Sequence, residues 1–458
     1  MAEASSPGLT GLLLDTLQRG AADAATLCRV LGVSQPTLSR QLRAAGVAVV
    51  RTGQARSTRY LASRAIDGQR VLPLFRVTPA GQVQQWGELL PVYPNPHVLV
   101  RFTDGSADEL FEGLPWWLQD MRPQGFLGRT WVQRRAVPLG LPADLTTWDD
   151  NHVLRALAAG EQDNIGNLLL GEAARTAWLA RPDGEVVQMA ARATRYPQLA
   201  SLVLAGEPVG SSAAGEQPKF ACTLRDGDAA DAWQQPVLVK FSVAADTSST
   251  QRWRDLLLAE HHALETLRAH GLPAAESNVL DTPEQRFLQL TRFDRLGAAG
   301  RCGLISLAAL EAGVIGQAQH AWPELTRQLA ANGYITAQAA EQAAQFYAFG
   351  RLIGNCDMHH GNIAFLHHGQ LPLPLAPCYD MLPMALAPDR NGLMRDELPP
   401  LIVPSQPVPA VWRAMLPLAR AYWRNVAADA RFSAGFIAIA AAQSGWLDQI
   451  ENQLSRLI

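Results

Sequence analysis

Lysine occurs at only two places in this 458-residue chain, Lys219 in "EQPKF" and Lys240 in "VLVKFS"; the rest of the 39 Lys and Arg residues are arginines. Where exposed sites have drifted to arginine, a retained lysine marks a position that needs a compact ammonium and not a planar fork. Lys240 interrupts the β-branched alternation of "PVLVKFS", which reads as a strand. A lysine in a half-buried strand is costly unless it is paired. The next periodic stretch offers the partner. In "RWRDLLLAEHHALETLRAHG", Trp253, Leu257, Glu260, Leu264 and Leu267 follow the spacing of one buried helix face, which places the Glu260 carboxylate among apolar residues. A strand lysine paired to a helix glutamate, downstream of the small-residue loop "GSSAAGEQPKF", is the arrangement kinases use to hold nucleotide phosphates. The loop is neither G-x-x-x-x-G-K-[ST] nor G-x-G-x-x-G, and a plain surface loop has the same composition. A structural ion pair is the other reading of Lys240 and Glu260.

The C-terminal half adds to this chemistry. "GRLIGNCDMHHGNIAFL" sets Asp357 and Asn362 five residues apart, after an apolar helix carrying Phe346, Phe349, Leu352 and Ile353. A kinase catalytic loop has the same spacing, with Asp taking the hydroxyl proton and Asn binding a metal. Asp380 in "LPLAPCYDMLPM" follows as a second oxygen ligand suited to Mg²⁺. The loop, Lys, Glu, Asp/Asn and Asp thus appear in the order that phosphoryl transfer needs. Asp357, His359, His360, His367, His368 and Asp380 also permit a metal-hydrolase reading. However, helical H-x-x-x-H spacing is absent, and His367–His368 read as solvated residues of a Gly-containing turn.

These residues need elements to position them, and the length calls for two to four domains. Residues 1–66 hold eight arginines against Glu3, Asp15 and Asp23, a formal +5 that leaves −8 on the remainder of a chain with net charge −3. Leu9, Leu12, Leu13 and Leu17 are spaced for a first helix. Asp23 caps a second, with Leu27, Val30 and Leu31 inward. "GVSQPTLSRQLRAAG" then reads as the second helix of a helix-turn-helix, offering Gln35, Thr37, Ser39, Arg40 and Arg43 to a major groove. "VAVVRT" and "TRYLAS" form a wing-like hairpin with Arg51, Arg56 and Arg59 near phosphates. A packing module that never meets DNA has the same helical pattern. In residues 67–205 no chemistry is assigned, and "PWWLQDMRPQGFLGR" reads as core and surface packing. The five cysteines lack metal-type spacing, and the chain shows neither a signal-peptide pattern nor an 18-residue apolar run. A cytoplasmic protein without a membrane partner is expected.

The motifs "SAAGEQPKF", "VLVKFS", "AEHHAL", "TRFDR", "GNCDMHHGNIAF" and "APCYDMLP", in this order, resemble the HipA family of serine/threonine kinase toxins over residues 70–440. In such systems the DNA-binding helix-turn-helix usually belongs to a separate antitoxin. Here it is fused to the N-terminus, which is similar to the YjjJ-type branch and leaves open whether a further antitoxin is a partner. The fold class implied is α+β. A winged helix-turn-helix (1–66) and a HipA-like α/β subdomain (67–205) precede a two-lobed kinase fold with a mixed α/β N-lobe (206–293) and a mostly α-helical C-lobe (294–458).

The resemblance implies ATP and Mg²⁺ as cofactors, Asp357 as catalytic base, and Asn362 and Asp380 as metal ligands. It places Lys240, with Glu260, at the nucleotide phosphates and makes Ala214, Gly215, Glu216, Gln217 and Lys219 a phosphate-side loop. Thr291, Arg292 and Phe293 become the hinge whose backbone meets adenine, although family members often carry Glu at the Thr291 position. His359, His360, Gly361 and Asn362 line the nucleotide site, and Ser212 matches an inhibitory autophosphorylation serine. The implied substrate class is a protein serine, notably in aminoacyl-tRNA synthetases. H-R-D, D-F-G and A-P-E are absent, so control by a phosphorylated activation loop is not expected. Two alternatives stay open: a DNA-binding regulator whose kinase-like body only senses nucleotide or a partner, and a small-molecule phosphotransferase.

Overall fold

Short amphipathic helices build the N-terminal head of the computed structural model, which describes residues 8–160, 164–180, 185–205, 217–227, 229, 232–316, 319–389 and 391–456. Helices α1 (Leu9–Gln18), α2 (Ala24–Leu31) and α3 (Gln35–Ala45) close on Leu13, Leu17, Leu27, Leu31 and Leu38. The Asp23 carboxylate accepts the Thr26 N–H at 2.7 Å and starts α2, and Gly32, at φ 65°, ends it. Val30 is not inward as its spacing suggested but 53% exposed, and Leu12 is 40% exposed. Leu27 and Leu31, four apart, define the buried stripe of α2, so Val30 falls to its edge.

Strands β1 (Val49–Thr52) and β2 (Arg59–Ala62) pair antiparallel as the expected hairpin. The hairpin is not a free arm. Val50 and Leu61 pack with Leu90, Val92 and Leu99 of the next domain. Just beyond it, the buried Arg64 guanidinium donates to the carbonyls of Val92, Pro96 and His97 and, at 2.6 Å, to Asn151 Oδ1.

That domain holds an antiparallel sheet in the order β6-β5-β4-β3-β7, from β3 (Leu72–Val77), β4 (Val83–Pro91), β5 (Val98–Phe102), β6 (Glu109–Phe111) and β7 (Leu168–Leu170). Helices α4 (Gly125–Arg135), α5 (Asp150–Ala159) and α6 (Glu172–Ala180) accompany it. A second sheet follows, from β8 (Val186–Gln188), β9 (Lys219–Asp226), β10 (Trp233–Phe241), β11 (Ser277–Asp281) and β12 (Arg286–Thr291), in the order β11-β12-β10-β9-β8. Val237, Val239 and Phe241 point to one face, where they meet Phe220, Phe287 and Tyr196 of α7 (Arg192–Ala205). The period-two pleat therefore sends Lys240 to the other face, under α8 (Ser248–Ala269). The β9–β10 register sets Lys240 directly opposite Lys219. The two lysines of the chain are cross-strand neighbours.

The remainder is mostly helical, as expected, with small strands between. It comprises β13 (Arg295–Leu296), β14 (Gly300–Arg301), β15 (Gly303–Ser306), α9 (Leu307–Leu310), α10 (Trp322–Ala331), α11 (Ala337–Leu352), β16 (Ala364–His367), α12 (Pro409–Ala428) and α13 (Ala434–Ser455). Phe346, Phe349 and Leu352 of α11 are buried, and β15 pairs antiparallel with β16. Among the described residues, no helix is long and apolar enough to cross a membrane.

His367 departs from its sequence reading as a solvated turn residue. It ends β16 and meets Trp86 edge-on with ring centroids 6.5 Å apart, while the Arg76 guanidinium stacks on the same Trp86 at 4.3 Å. Burial, then Arg76 and His368, push the imidazole pKa down to about 4. The fold thus holds His367 neutral, whereas the unfolded chain protonates it near 6.5. The stabilisation is complete above that value and is lost as pH falls from 6.5 to about 4, by at most about 3 kcal/mol. Thermal melts of His367→Gln should lose less stability than the parent across this window. Equal losses would rule out this contribution.

Candidate active site

The expected pairing of strand lysine and helix glutamate is present. Lys240 Nζ donates to both Glu260 oxygens, at 2.7 and 2.8 Å, with the two side chains 3% and 0% exposed. It also donates to Asp380 Oδ1, from 140 residues downstream. Burial opposes charge on all three groups; the mutual attraction outweighs it at Lys240 and Asp380, whereas at Glu260 burial still holds the carboxyl above its ordinary pKa. Burial would lower the Lys240 pKa, yet Asp380 and Glu260 hold it above its ordinary value. Burial would likewise raise Asp380, yet Lys240 and then Lys219 pull it down to about 2. Like charges directly across a ladder repel, so the Lys219–Lys240 juxtaposition depends on these carboxylates.

Asp380 has a φ of 52°, a left-handed conformation uncommon for a side-chain-bearing residue. Asn355, 3% exposed, supports this turn. Its Nδ2 donates to the Asp380 carbonyl at 3.3 Å, and its Oδ1 accepts the Asp357 N–H at 3.0 Å. One buried amide therefore ties together the two segments that carry the aspartates. Sequence reading passed over Asn355, although its place two residues before Asp357 was visible. Asn362 Nδ2 donates to the Asp357 carbonyl at 2.8 Å and closes the five-residue loop. Tyr379 Oη donates to the Gly361 carbonyl at 2.8 Å and Trp322 Nε1 to that of His359 at 3.2 Å, so aromatic anchors hold the turn from behind.

Gln217, Lys219, Lys240, Asp357, His359, Gly361, Asn362 and Asp380 line one cavity of about 520 Å³, a size that suits a small-molecule ligand. Glu260 stands behind Lys240. Lys219 is the first residue of β9 and not the end of a loop. His360 Nε2 meets the His320 carbonyl at 2.9 Å, outside the cavity lining. Thr291, Arg292 and Phe293 also lie outside that lining. The Thr291 N–H donates to the Glu276 carbonyl and the Arg292 N–H to that of Pro236, and the Arg292 guanidinium binds Asp294. Phe293 contacts the Tyr379 ring, with centroids 5.9 Å apart. Ser212, Ala214, Gly215 and Glu216 lie outside the described residues. In the head, Gln35, Ser39, Arg40, Arg43, Arg56 and Arg59 are exposed, with Thr37 half-buried and accepting from Arg40 at 3.1 Å. None of them lines the cavity.

Sequence reading assigned no chemistry to residues 67–205, and the structure adds that part of them borders the cavity. Gln119, Asp120, Arg122 and Gln124 line the same cavity. The aromatic half of "PWWLQDMRPQ" is core, with Trp117 7% exposed, but the polar half faces the cleft. Asp120 accepts the Ser306 N–H and its hydroxyl, each at 2.6 Å. Burial nevertheless holds its carboxyl above the ordinary pKa. No periodicity marks such a segment, because only the docking of one domain on another gives it a site. Among the described residues, no group of three or more His, Cys, Asp or Glu side chains is placed to hold a metal ion.

Residues 68–179 match the YjjJ-like toxin middle domain, and residues 211–407 match the HipA-like C-terminal domain. Toxin YjjJ of Escherichia coli (strain K12) is 39% identical over 446 residues, 97% of this chain and 99% of that protein. The chain belongs to the YjjJ-like toxins of the HipA family. Among solved structures it is similar to the HipA, HipB and operator DNA complex of the Shewanella oneidensis MR-1 toxin–antitoxin system, with TM-score 0.46 and 13% identity over 84% of this chain and 95% of the other. It is also similar to the Helicobacter pylori proinflammatory kinase CtkA, with TM-score 0.35 and 12% identity over 49% and 92%. The Lys240, Asp357–Asn362 and Asp380 segments fall in the HipA-like region, whereas Gln119–Gln124 fall in the YjjJ-like middle domain.

Proposed function

We propose that this toxin is an ATP- and Mg²⁺-dependent serine/threonine protein kinase with a DNA-binding head. The observation that carries the reading is the convergence of Lys240, Asp357, Asn362 and Asp380 on one cavity, with Lys240 held by Glu260 from behind. The residues present fit a nucleotide and its metal. Gln217 Nε2 is buried at the cavity wall with no partner among the described residues, a donor suited to a phosphate oxygen. Asp380 and Asn362 would hold Mg²⁺, one carboxylate and one amide oxygen, the small hard donor set that the ion takes alongside phosphates. The bound ion would neutralise charge on the transferring phosphoryl group.

The chain's own residues do the rest. Lys240 fixes the phosphates, and Glu260 fixes Lys240. Asp357 orients the acceptor hydroxyl and accepts its proton. The acceptor is read as a protein serine, with aminoacyl-tRNA synthetases as the substrate class implied by family likeness. Incubating lysate with γ-labelled ATP and the purified protein tests this. Label on protein, lost with an Asp357 variant, is expected, and label on a metabolite or nowhere would overturn it.

The exposed face of α3 and the hairpin arginines support DNA binding by the head. Arg40→Ala and Arg43→Ala should each weaken duplex binding and lower the slope of log K against log salt by about 1. Unchanged anisotropy titrations would exclude this face. A second reading, a DNA-binding regulator whose kinase-like body only senses nucleotide or a partner, draws on the packed Arg64 junction. The labelling experiment separates the two.

A further inference from the structure

The cavity has contributors from two domains, and the middle-domain share has no role in the phosphate-side chemistry above. Its turn is seated at the catalytic loop. Asp120 binds Ser306, Ser306 pairs with Ala364 across β15 and β16, and the Leu307 N–H donates to the Ile363 carbonyl at 2.9 Å. Ile363 directly follows Asn362. The turn therefore stands beside the residues that would receive the hydroxyl.

Arg122 is the cation this turn presents. Its Nη2 donates to Asp150 Oδ1 at 2.6 Å and its Nη1 to the Trp148 carbonyl at 3.4 Å. The other Asp150 oxygen accepts the Leu114 N–H at 2.8 Å. The guanidinium is thus aimed from behind, while its side chain keeps 28% exposure at the cavity wall. Of the cavity-lining acids other than Asp357, neither competes for it. Both Asp120 oxygens are taken by Ser306, and Asp380 is bound to Lys240. Gln119 and Gln124 flank it with neutral amides.

Resting on the kinase reading, we propose that the middle domain forms the acceptor wall of the cleft. In this role Arg122 is a specificity-determining residue, anchoring an acidic side chain of the protein substrate close to the acceptor serine. A pre-aimed guanidinium and a carboxylate make a charge-assisted pair that a lysine-flanked serine cannot make.

The test uses the full chain with ATP, Mg²⁺ and serine peptides that differ only in acidic, neutral or basic flanking residues. The parent should favour acidic peptides about tenfold or more in kcat/KM. Arg122→Gln should erase that preference through the KM for the acidic peptide, with the KM for ATP moving less, and Arg122→Lys should restore part of it. Thermal melts of both variants separate these effects from loss of fold. Transfer without acidic preference by the parent protein overturns this proposal alone, as does a rise confined to the KM for ATP, which would place the guanidinium on the nucleotide. Absence of any transfer by the parent overturns the kinase reading and this proposal together.

Discussion

Lys240→Met is expected to abolish phosphoryl transfer and to destabilise the protein together. The substitution removes the ammonium that contacts both Glu260 oxygens and Asp380. Two carboxylates would then face each other across a buried space, with Lys219 the remaining lysine nearby. Breaking a buried pair by removing one partner costs about 3–5 kcal/mol, because the remaining charge has lost both water and partner. Lys240→Arg separates the two effects. It keeps the charge, so most of the stability should remain. A planar guanidinium cannot place one nitrogen on three oxygens as the ammonium does, and transfer should fall by about 100-fold or more. Melting curves and initial rates on the two variants provide the check. Lys240→Arg activity within tenfold of the parent would show that a compact ammonium is not required.

Asp357→Asn is expected to remove activity without removing the fold. Its side chain is exposed, and its backbone N–H and carbonyl are already used by Asn355 and Asn362. An amide of the same shape keeps those bonds but cannot take a proton. A positioned base contributes about 10²–10⁴-fold, so kcat should drop by that factor while stability changes by about 0.5 kcal/mol or less. Growth inhibition on overexpression should disappear with the transferase activity. Toxicity that survives the substitution would mean that catalysis is not how the protein acts, and would favour the regulatory reading.

The contrast between these variants follows the way the site is built. Lys240 is part of the core and of the site, so its chemistry cannot be separated from folding. Asp357 sits on a loop whose shape is secured by Asn355, Tyr379 and Trp322, so its carboxylate is spare to the fold. Asn355 belongs to the first class. Its replacement would release the Asp357 and Asp380 segments together.

Much of this was legible from residue type and spacing. Glu260 could be placed because its neighbours on α8 are apolar at helical intervals, and a carboxylate there needs a cation. Lys240 could be placed because a period-two strand allows it only two directions. The Asp357–Asn362 interval and the caps at Asp23 and Gly32 are local, encoded within a few residues. His367 was misread because its turn-like neighbours are local signals, whereas its burial depends on Trp86 and Arg76 from another domain.

By itself the sequence determined the family, the order of the elements, and the pairing of one lysine with one glutamate. Each of these follows from periodicity, capping or motif spacing along the chain. Only the tertiary structure decided that Lys219 stands across the ladder from Lys240, that Asp380 closes onto the same ammonium, and that Arg122 of the middle domain shares their cavity. These are contacts between segments from about 20 to 250 residues apart, set by strand register and by how domains dock. No local pattern carries that information, because the free energy that selects it comes from burial shared between distant surfaces.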